Sequence, residues 1–107
     1  MEYRNFYGRV RGKSLKPAQQ RYLSEDLPRL SVAGITREEN PKRTLLDIDS
    51  FAAGKPLWLE VGFGGGEHIV NQALNNPEVQ FLGVEPYING VAMLLGKIRQ
   101  TGVKNIR

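Results

Sequence analysis

Two glutamates flanking a glycine-rich turn are the residues of this sequence best suited to chemistry. Glu60 stands two residues before the run Gly62-Phe63-Gly64-Gly65-Gly66, and Glu85 follows 25 residues after Glu60. Glycines in such a run permit positive φ and let a ligand lie against bare backbone, and a helix that begins directly after them points its free amides at the same ligand. The glycines alone do not select that ligand. A pyrophosphate loop has the spacing Gly-x-Gly-x-x-Gly; Gly62 and Gly64 fit its first two positions, but Glu67 occupies the third. Glu60 widens the mismatch, because a carboxylate at the mouth of the loop repels phosphate and attracts a cation.

A ligand that is an adenosine at one end and carries ammonium and sulfonium charges at the other suits both acids, and S-adenosylmethionine (SAM) is such a ligand. At the end of a second strand a carboxylate accepts hydrogen bonds from the two ribose hydroxyls of an adenosine, the place Glu85 takes. The candidate donor-binding residues are therefore Glu60, Gly62, Gly64, Gly66 and Glu85. Plainer roles stand beside these: Glu60 as a solvent-facing strand end, and Glu85 as a charge favourable to the helix after it. His68, one residue into a helix with no second ligand or nucleophile in view, reads as an ordinary helix residue. Trp58 reads as sheet core, and Phe63 either borders the ligand or packs under the loop. With no cysteine and His68 the single histidine, no metal site is expected.

The flanking segments have the patterns needed to position such a site. Leu57-Trp58-Leu59-Glu60-Val61 is a nearly continuous apolar strand of the kind buried on both faces of a parallel sheet. Ile69, Val70, Ala73 and Leu74 mark a short amphipathic helix over Glu67 to Asn75, ended by Asn76-Pro77. Val79 to Glu85 is a second strand. Ile88, Val91, Ala92, Leu95 and Ile98 form a helical face, with Lys97 and Arg99 in its last turns and Gly102 as its stop. Val103 to Ile106 approaches a third strand. This β-α-β-α-(β) order with short connections predicts an α/β, Rossmann-like parallel sheet over residues 57–107.

Residues 1–56 are of another character. Met1 to Ser14 mixes bases, aromatics and glycines without a period, and reads as an extended arm. A helix is predicted over about 16–27, capped by Ser14, with Pro17 in its first turn and Pro28 as its stop. Leu30 to Pro56 is a connector with one short helix inside Leu45 to Ala53.

The chain has 107 residues, 40% hydrophobic and 24% charged, enough apolar material for a modest core. Its net charge of +4 is unevenly spread. Arg4, Arg9, Arg11, Lys13, Lys16 and Arg21 face a single acid, Glu2, in the first 22 residues, whereas four bases and four acids balance in residues 57–107. With Tyr3, Phe6 and Tyr7 interleaved, those six bases are candidate RNA contacts; solvated surface charge is the plainer alternative. No apolar run is long enough to span a membrane and no secretory signal opens the sequence, so a cytoplasmic protein without membrane attachment is expected.

The residues also resemble a known family, the bacterial tRNA (guanine-N(7)-)-methyltransferases. The resemblance is strongest in Trp58-Leu59-Glu60-Val61-Gly62-Phe63-Gly64-Gly65-Gly66-Glu67-His68, in Phe81-Leu82-Gly83-Val84-Glu85-Pro86 and in Asn89-Gly90-Val91-Ala92. Phe6-Tyr7-Gly8-Arg9 and Lys16-Pro17-Ala18-Gln19-Gln20-Arg21 extend it into the arm. It implies a class I methyltransferase fold, SAM as methyl donor without a metal, contact of Glu60 and Glu85 with SAM, and tRNA as partner, methylated at N7 of a guanosine in the variable region. A monomer is implied for the full-length family member. Guanine N7 already presents a lone pair, so the absence of an evident general base is no objection. The family's sheet has about seven strands, and its catalytic residues are expected beyond Arg107. Leu57 to Val61, a central strand by pattern, has only one and a half neighbours to pair with it, which makes the chain a fragment or one part of a split protein. The alternatives are a SAM methyltransferase acting on another substrate and a non-catalytic SAM-binding or tRNA-binding piece. A nicotinamide-dependent oxidoreductase is disfavoured by Glu60 and Glu67.

Overall fold

The computed structural model describes residues 13–107. Its elements follow in the order α1 (Pro17–Glu25), α2 (Leu27–Leu30), α3 (Ile48–Ala52), β1 (Leu57–Val61), α4 (Glu67–Asn75), β2 (Gln80–Val84) and α5 (Ile88–Thr101). The two strands run parallel in the register Leu57 to Gln80 through Val61 to Val84. Parallel neighbours need a crossover, and α4 supplies it, starting directly after the glycines and ending where Asn76 and Pro77 interrupt its ladder. α5 ends where Gly102 turns left-handed, at φ 71°.

The last residues extend the sheet, but beside β2 rather than β1. The Phe81 amide donates to the Asn105 carbonyl (2.7 Å), Arg107 donates back to Phe81 (2.9 Å), and Gly83 donates to Arg107 (2.8 Å). Among the described residues β2 is thus the middle strand and β1 has one partner, a correction to the expected one and a half. Crossovers of the usual right hand step the chain one strand further in the same direction, which accounts for residues 105–107 lying beyond β2 from β1.

That order sets which faces are covered. The core joins Ile69, Val70 and Ala73 of α4, Val79 and Phe81, Leu94 of α5, and Ile106. Removing a side chain such as Ile69 or Phe81 from water stabilises the fold by about 1.5–3 kcal/mol. By register, Trp58 and Glu60 share the face of Phe81 and Gly83, whereas Leu59 and Val61 share the opposite face with Leu82 and Val84. On that opposite face Leu59 is 62% exposed and Val61 71%. The expectation of a strand buried on both faces does not hold here, because α4 and α5 cover one face only. Trp58, expected in the core, is also partly exposed; its ring meets Phe81 edge-on at 5.4 Å and 79°, with no strand beyond it among the described residues.

Asn105 closes the far end of the sheet. Its side-chain amide is shared among the carbonyls of Ala73, Asn76 and Val79 at 2.9–3.1 Å, so one buried group satisfies the end of α4 and the start of β2.

Before the sheet, the single helix expected over 16–27 divides at Asp26. Lys16, not Ser14, is the N-cap residue, and its amide is accepted by the Gln19 side chain at 3.0 Å. Pro28 does not end a helix; it lies in the first turn of α2, where a missing N–H leaves nothing unpaired. The break buries Asp26 against α5. Arg99 grips its carboxylate with two hydrogen bonds of 2.6 and 2.9 Å, reaches Glu25 at 2.7 Å, and lies over the Tyr22 ring at 4.6 Å. These Arg99 hydrogen bonds hold the Asp26 carboxyl below its ordinary value near 3.8, against the opposing effect of burial, and push the guanidinium further up. The expected helix within Leu45 to Ala53 starts later, at Ile48, because Asp47 caps it by accepting from the amide (3.2 Å) and hydroxyl (2.6 Å) of Ser50.

Candidate donor-binding site

The glycine loop joins the C-terminal end of β1 to α4, and its geometry explains the residues found there. The Gly62 amide continues the strand ladder onto the Val84 carbonyl at 2.6 Å, after which Gly62, Gly64 and Gly66 all take positive φ, at 76°, 61° and 87°. Gly66 is the N-cap of α4 and has two reasons to lack a side chain: its left-handed φ, and Leu94, whose Cδ1 would lie 2.7 Å from an added Cβ. The loop's backbone is therefore bare where α5 presses on it from behind.

Glu85 fixes the loop from the neighbouring strand. Its Oε1 accepts from the Gly64 amide at 2.7 Å and its Oε2 from the Tyr87 amide at 3.1 Å. Each carboxylate oxygen has a further lone pair, so two acceptor positions remain for a ligand. Lys97 of α5 donates to the Gly65 carbonyl at 2.8 Å, and the Gly64 carbonyl packs directly on Gly90, where an added Cβ would collide with it. Glu85, Lys97 and Gly90 brace the loop from three sides of its backbone. The Phe63 ring lies over Gly83 and packs against the core, under the loop.

Glu60 stands at the mouth, on the sheet face toward α4. Its side chain is 27% exposed, and Oε1 meets Nδ1 of His68 at 2.8 Å. His68 is thus not the ordinary helix residue expected: the loop reverses the chain so that the first turn of α4 faces the end of β1. The available signal was an acid at a strand end and a histidine eight residues later, across a strand-loop-helix turn. No group of His, Asp and Glu able to hold a metal occurs among the described residues.

The predicted basic contacts divide. Arg4, Arg9 and Arg11 lie outside the described residues. Lys13 comes close to the site through its backbone, its carbonyl accepting from Asn89 at the start of α5 at 2.6 Å. Lys16 and Arg21 are exposed on and beside α1. Their helix borders a groove of about 620 Å³ lined by Gln19, Tyr22, Met93, Lys97 and Gln100. Lys97 is common to that groove and to the loop. No helix among the described residues is long and apolar enough to cross a membrane.

Comparisons with known proteins bear on this arrangement. A family model described as "Putative methyltransferase" matches residues 54–107, the segment from the last connector residues through both glutamates to Arg107. A protein of Roseobacter denitrificans named tRNA (guanine-N(7)-)-methyltransferase is 62% identical over 104 residues, which cover 97% of this chain and 45% of that protein. A protein of the same name from Cereibacter sphaeroides is 61% identical, with 97% and 43% covered. The like-named protein of Caulobacter vibrioides is 38% identical over 101 residues, 94% of this chain and 41% of its own length. The chain spans less than half the length of these curated relatives.

Proposed function

The chain belongs to the methyltransferase family whose model covers residues 54–107, and from that premise we propose that it carries the arm and donor-binding part of a SAM-dependent tRNA guanine-N(7) methyltransferase. The observation that carries the reading is the placement of two carboxylates around one bare loop: Glu60 at the end of β1, and Glu85 bonded to the amide of Gly64. Glu60 attracts the ammonium of the donor, while the remaining lone pairs of Glu85 accept the two ribose hydroxyls. Gly62, Gly64 and Gly66 let the ligand approach the backbone. A pyrophosphate in the same place would meet the negative charge of Glu60, which is why a dinucleotide is the poorer fit.

When bound, the donor supplies a methyl group made electrophilic by its sulfonium. This chain's residues bind and orient it; the accepting nitrogen has its own lone pair, and no proton need be removed before attack. The relatives' names support tRNA as the methylated molecule; the cytoplasm is the place of work assigned to it. Lys13, Lys16 and Arg21, with Arg4, Arg9 and Arg11, are the bases assigned to its phosphates. The test uses the full-length protein with tRNA transcript and methyl-labelled donor, followed by mapping of the modified nucleotide. Label at a guanine N7 that disappears with Glu60→Ala or Glu85→Ala is the expected result. Undiminished transfer in both variants overturns the donor-site assignment, and label on a different base overturns the substrate.

A further inference from the structure

Among the described residues Glu60 is held by one side chain, and that side chain is an imidazole. Oε1 of Glu60 lies 2.8 Å from Nδ1 of His68, and no second hydrogen bond to Glu60 occurs among the described residues. Oε2 is therefore the oxygen open to a cation, and the His68 contact decides where it points. The histidine ring is 69% exposed, standing in the first turn of α4 on the rim of the loop.

We infer that His68 is the positioning residue of the donor site, orienting the Glu60 carboxylate and, through its own protonation, setting how strongly that carboxylate takes the ammonium of the donor. The inference rests on the donor-site reading above. Neutral His68 donates from Nδ1 and fixes the carboxylate without adding charge. Protonated His68 makes the same bond but places a full positive charge beside Glu60, where it competes with the ammonium and repels it. Donor affinity therefore rises as His68 loses its proton.

Among the described residues the surroundings supply few other charges able to produce this dependence. β1 contributes only Glu60 and β2 has no titratable side chain. On α4, Glu67 precedes His68 and is exposed. From α5, Lys97 is engaged with the Gly65 carbonyl and Arg99 with Asp26 and Glu25, while Glu85, between β2 and α5, is bonded to the Gly64 and Tyr87 amides.

The test is calorimetric titration of the full-length protein with SAM and S-adenosylhomocysteine at pH 5.5 and 7.0, both below the range of about 7.7–8.0 where an α-amino group titrates. Wild type is expected to bind about five-fold more tightly at the higher pH, the effect of one like charge removed from a partly exposed site. His68→Asn presents a donor near the position of Nδ1 without a titrating charge, and should bind within two-fold equally at both values. His68→Ala should lose the pH dependence as well and, with nothing to orient Glu60, bind about three-fold more weakly than His68→Asn at pH 7.0. An unchanged pH ratio in His68→Asn overturns the inference while leaving the donor site intact. So does tighter binding of wild type at pH 5.5, which would mean that His68 takes the carboxylate of the ligand instead. Equal affinity of the Ala and Asn variants at pH 7.0 overturns the orienting role. Failure of wild type to bind at either pH defeats the donor-site reading itself, and the inference with it.

Discussion

Replacing Gly90 by alanine tests the loop clamp through the sign of a stability change. Gly90 lies in the first turns of α5, and helix propensity alone favours alanine over glycine by up to about 1 kcal/mol. The structure predicts the opposite direction, because the added Cβ would run into the Gly64 carbonyl oxygen and lie 3.4 Å from Cγ of Glu85. Neither neighbour yields freely: Gly64 is backbone, and its amide is bonded to Glu85 at 2.7 Å. Overpacking of this kind costs about 1–3 kcal/mol, and loosening a hydrogen bond to a carboxylate adds about 1.5–3 kcal/mol at most. Set against the propensity gain, a net destabilisation of about 2 kcal/mol is expected, together with weaker donor binding. Gly96→Ala is the control on the same helix. Its Cβ would meet the edge of the Tyr22 ring at 3.2 Å, a side chain that can give way, so its stability should stay close to that of wild type. Urea unfolding of both variants, followed by calorimetric titration with SAM, provides the measurement. A Gly90→Ala protein at least as stable as wild type, with unaltered donor affinity, refutes the account of how the loop is held.

Four further outcomes follow from contacts elsewhere. Asn105→Ala leaves the carbonyls of Ala73, Asn76 and Val79 without their shared donor and should cost about 1–3 kcal/mol in urea unfolding; a change below 0.5 kcal/mol, on the order of a surface substitution, would count against the bracket. Asp26→Ala should release α1 from α5, which limited proteolysis would detect as faster cleavage between α1 and α3. Because Arg99 depresses the Asp26 carboxyl, the stability it contributes is complete above about pH 3.8 and is lost as pH falls through the lower native value; acid unfolding of Asp26→Asn should accordingly be shallower below pH 3.8 than that of wild type. Glu85→Gln cannot accept from both Gly64 and Tyr87 with its oxygen and nitrogen, so amide exchange at Gly64 should quicken and donor affinity fall at least ten-fold, roughly the loss of one charge-assisted hydrogen bond.

The sheet and the helices beside it were legible because their signals are local. Apolar runs ending at glycine, the period of Ile88 to Ile98, and the stops at Pro77 and Gly102 each act within a few residues, and β1, α4, β2 and α5 all lie where those signals put them. The loop and both glutamates were visible for the same reason. What sequence reading missed depends on which segments meet. The helix break at Asp26 brings its carboxylate to Arg99, 73 residues away, a partner that no local pattern announces, and Pro28 can either end a helix or begin one. The strand partner of residues 105–107 is a property of topology. His68 looked idle because its partner lies on a different element, brought near only when the loop reverses the chain.

The chain separations within the site have a consequence for how it forms. Glu60 and His68 are 8 residues apart, Gly64 and Glu85 are 21, and Gly65 and Lys97 are 32, whereas the clasp between Arg99 and Asp26 spans 73. Closing the longest of these loops rather than that of Gly64 and Glu85 carries an extra entropic cost of about 1 kcal/mol. The ligand cradle is thus a nearly self-contained local unit, able to assemble ahead of the arm's attachment and to outlast its release. Native-state hydrogen exchange should read that order directly, with the amides of α1 opening at lower free energy than those of α4 and β2.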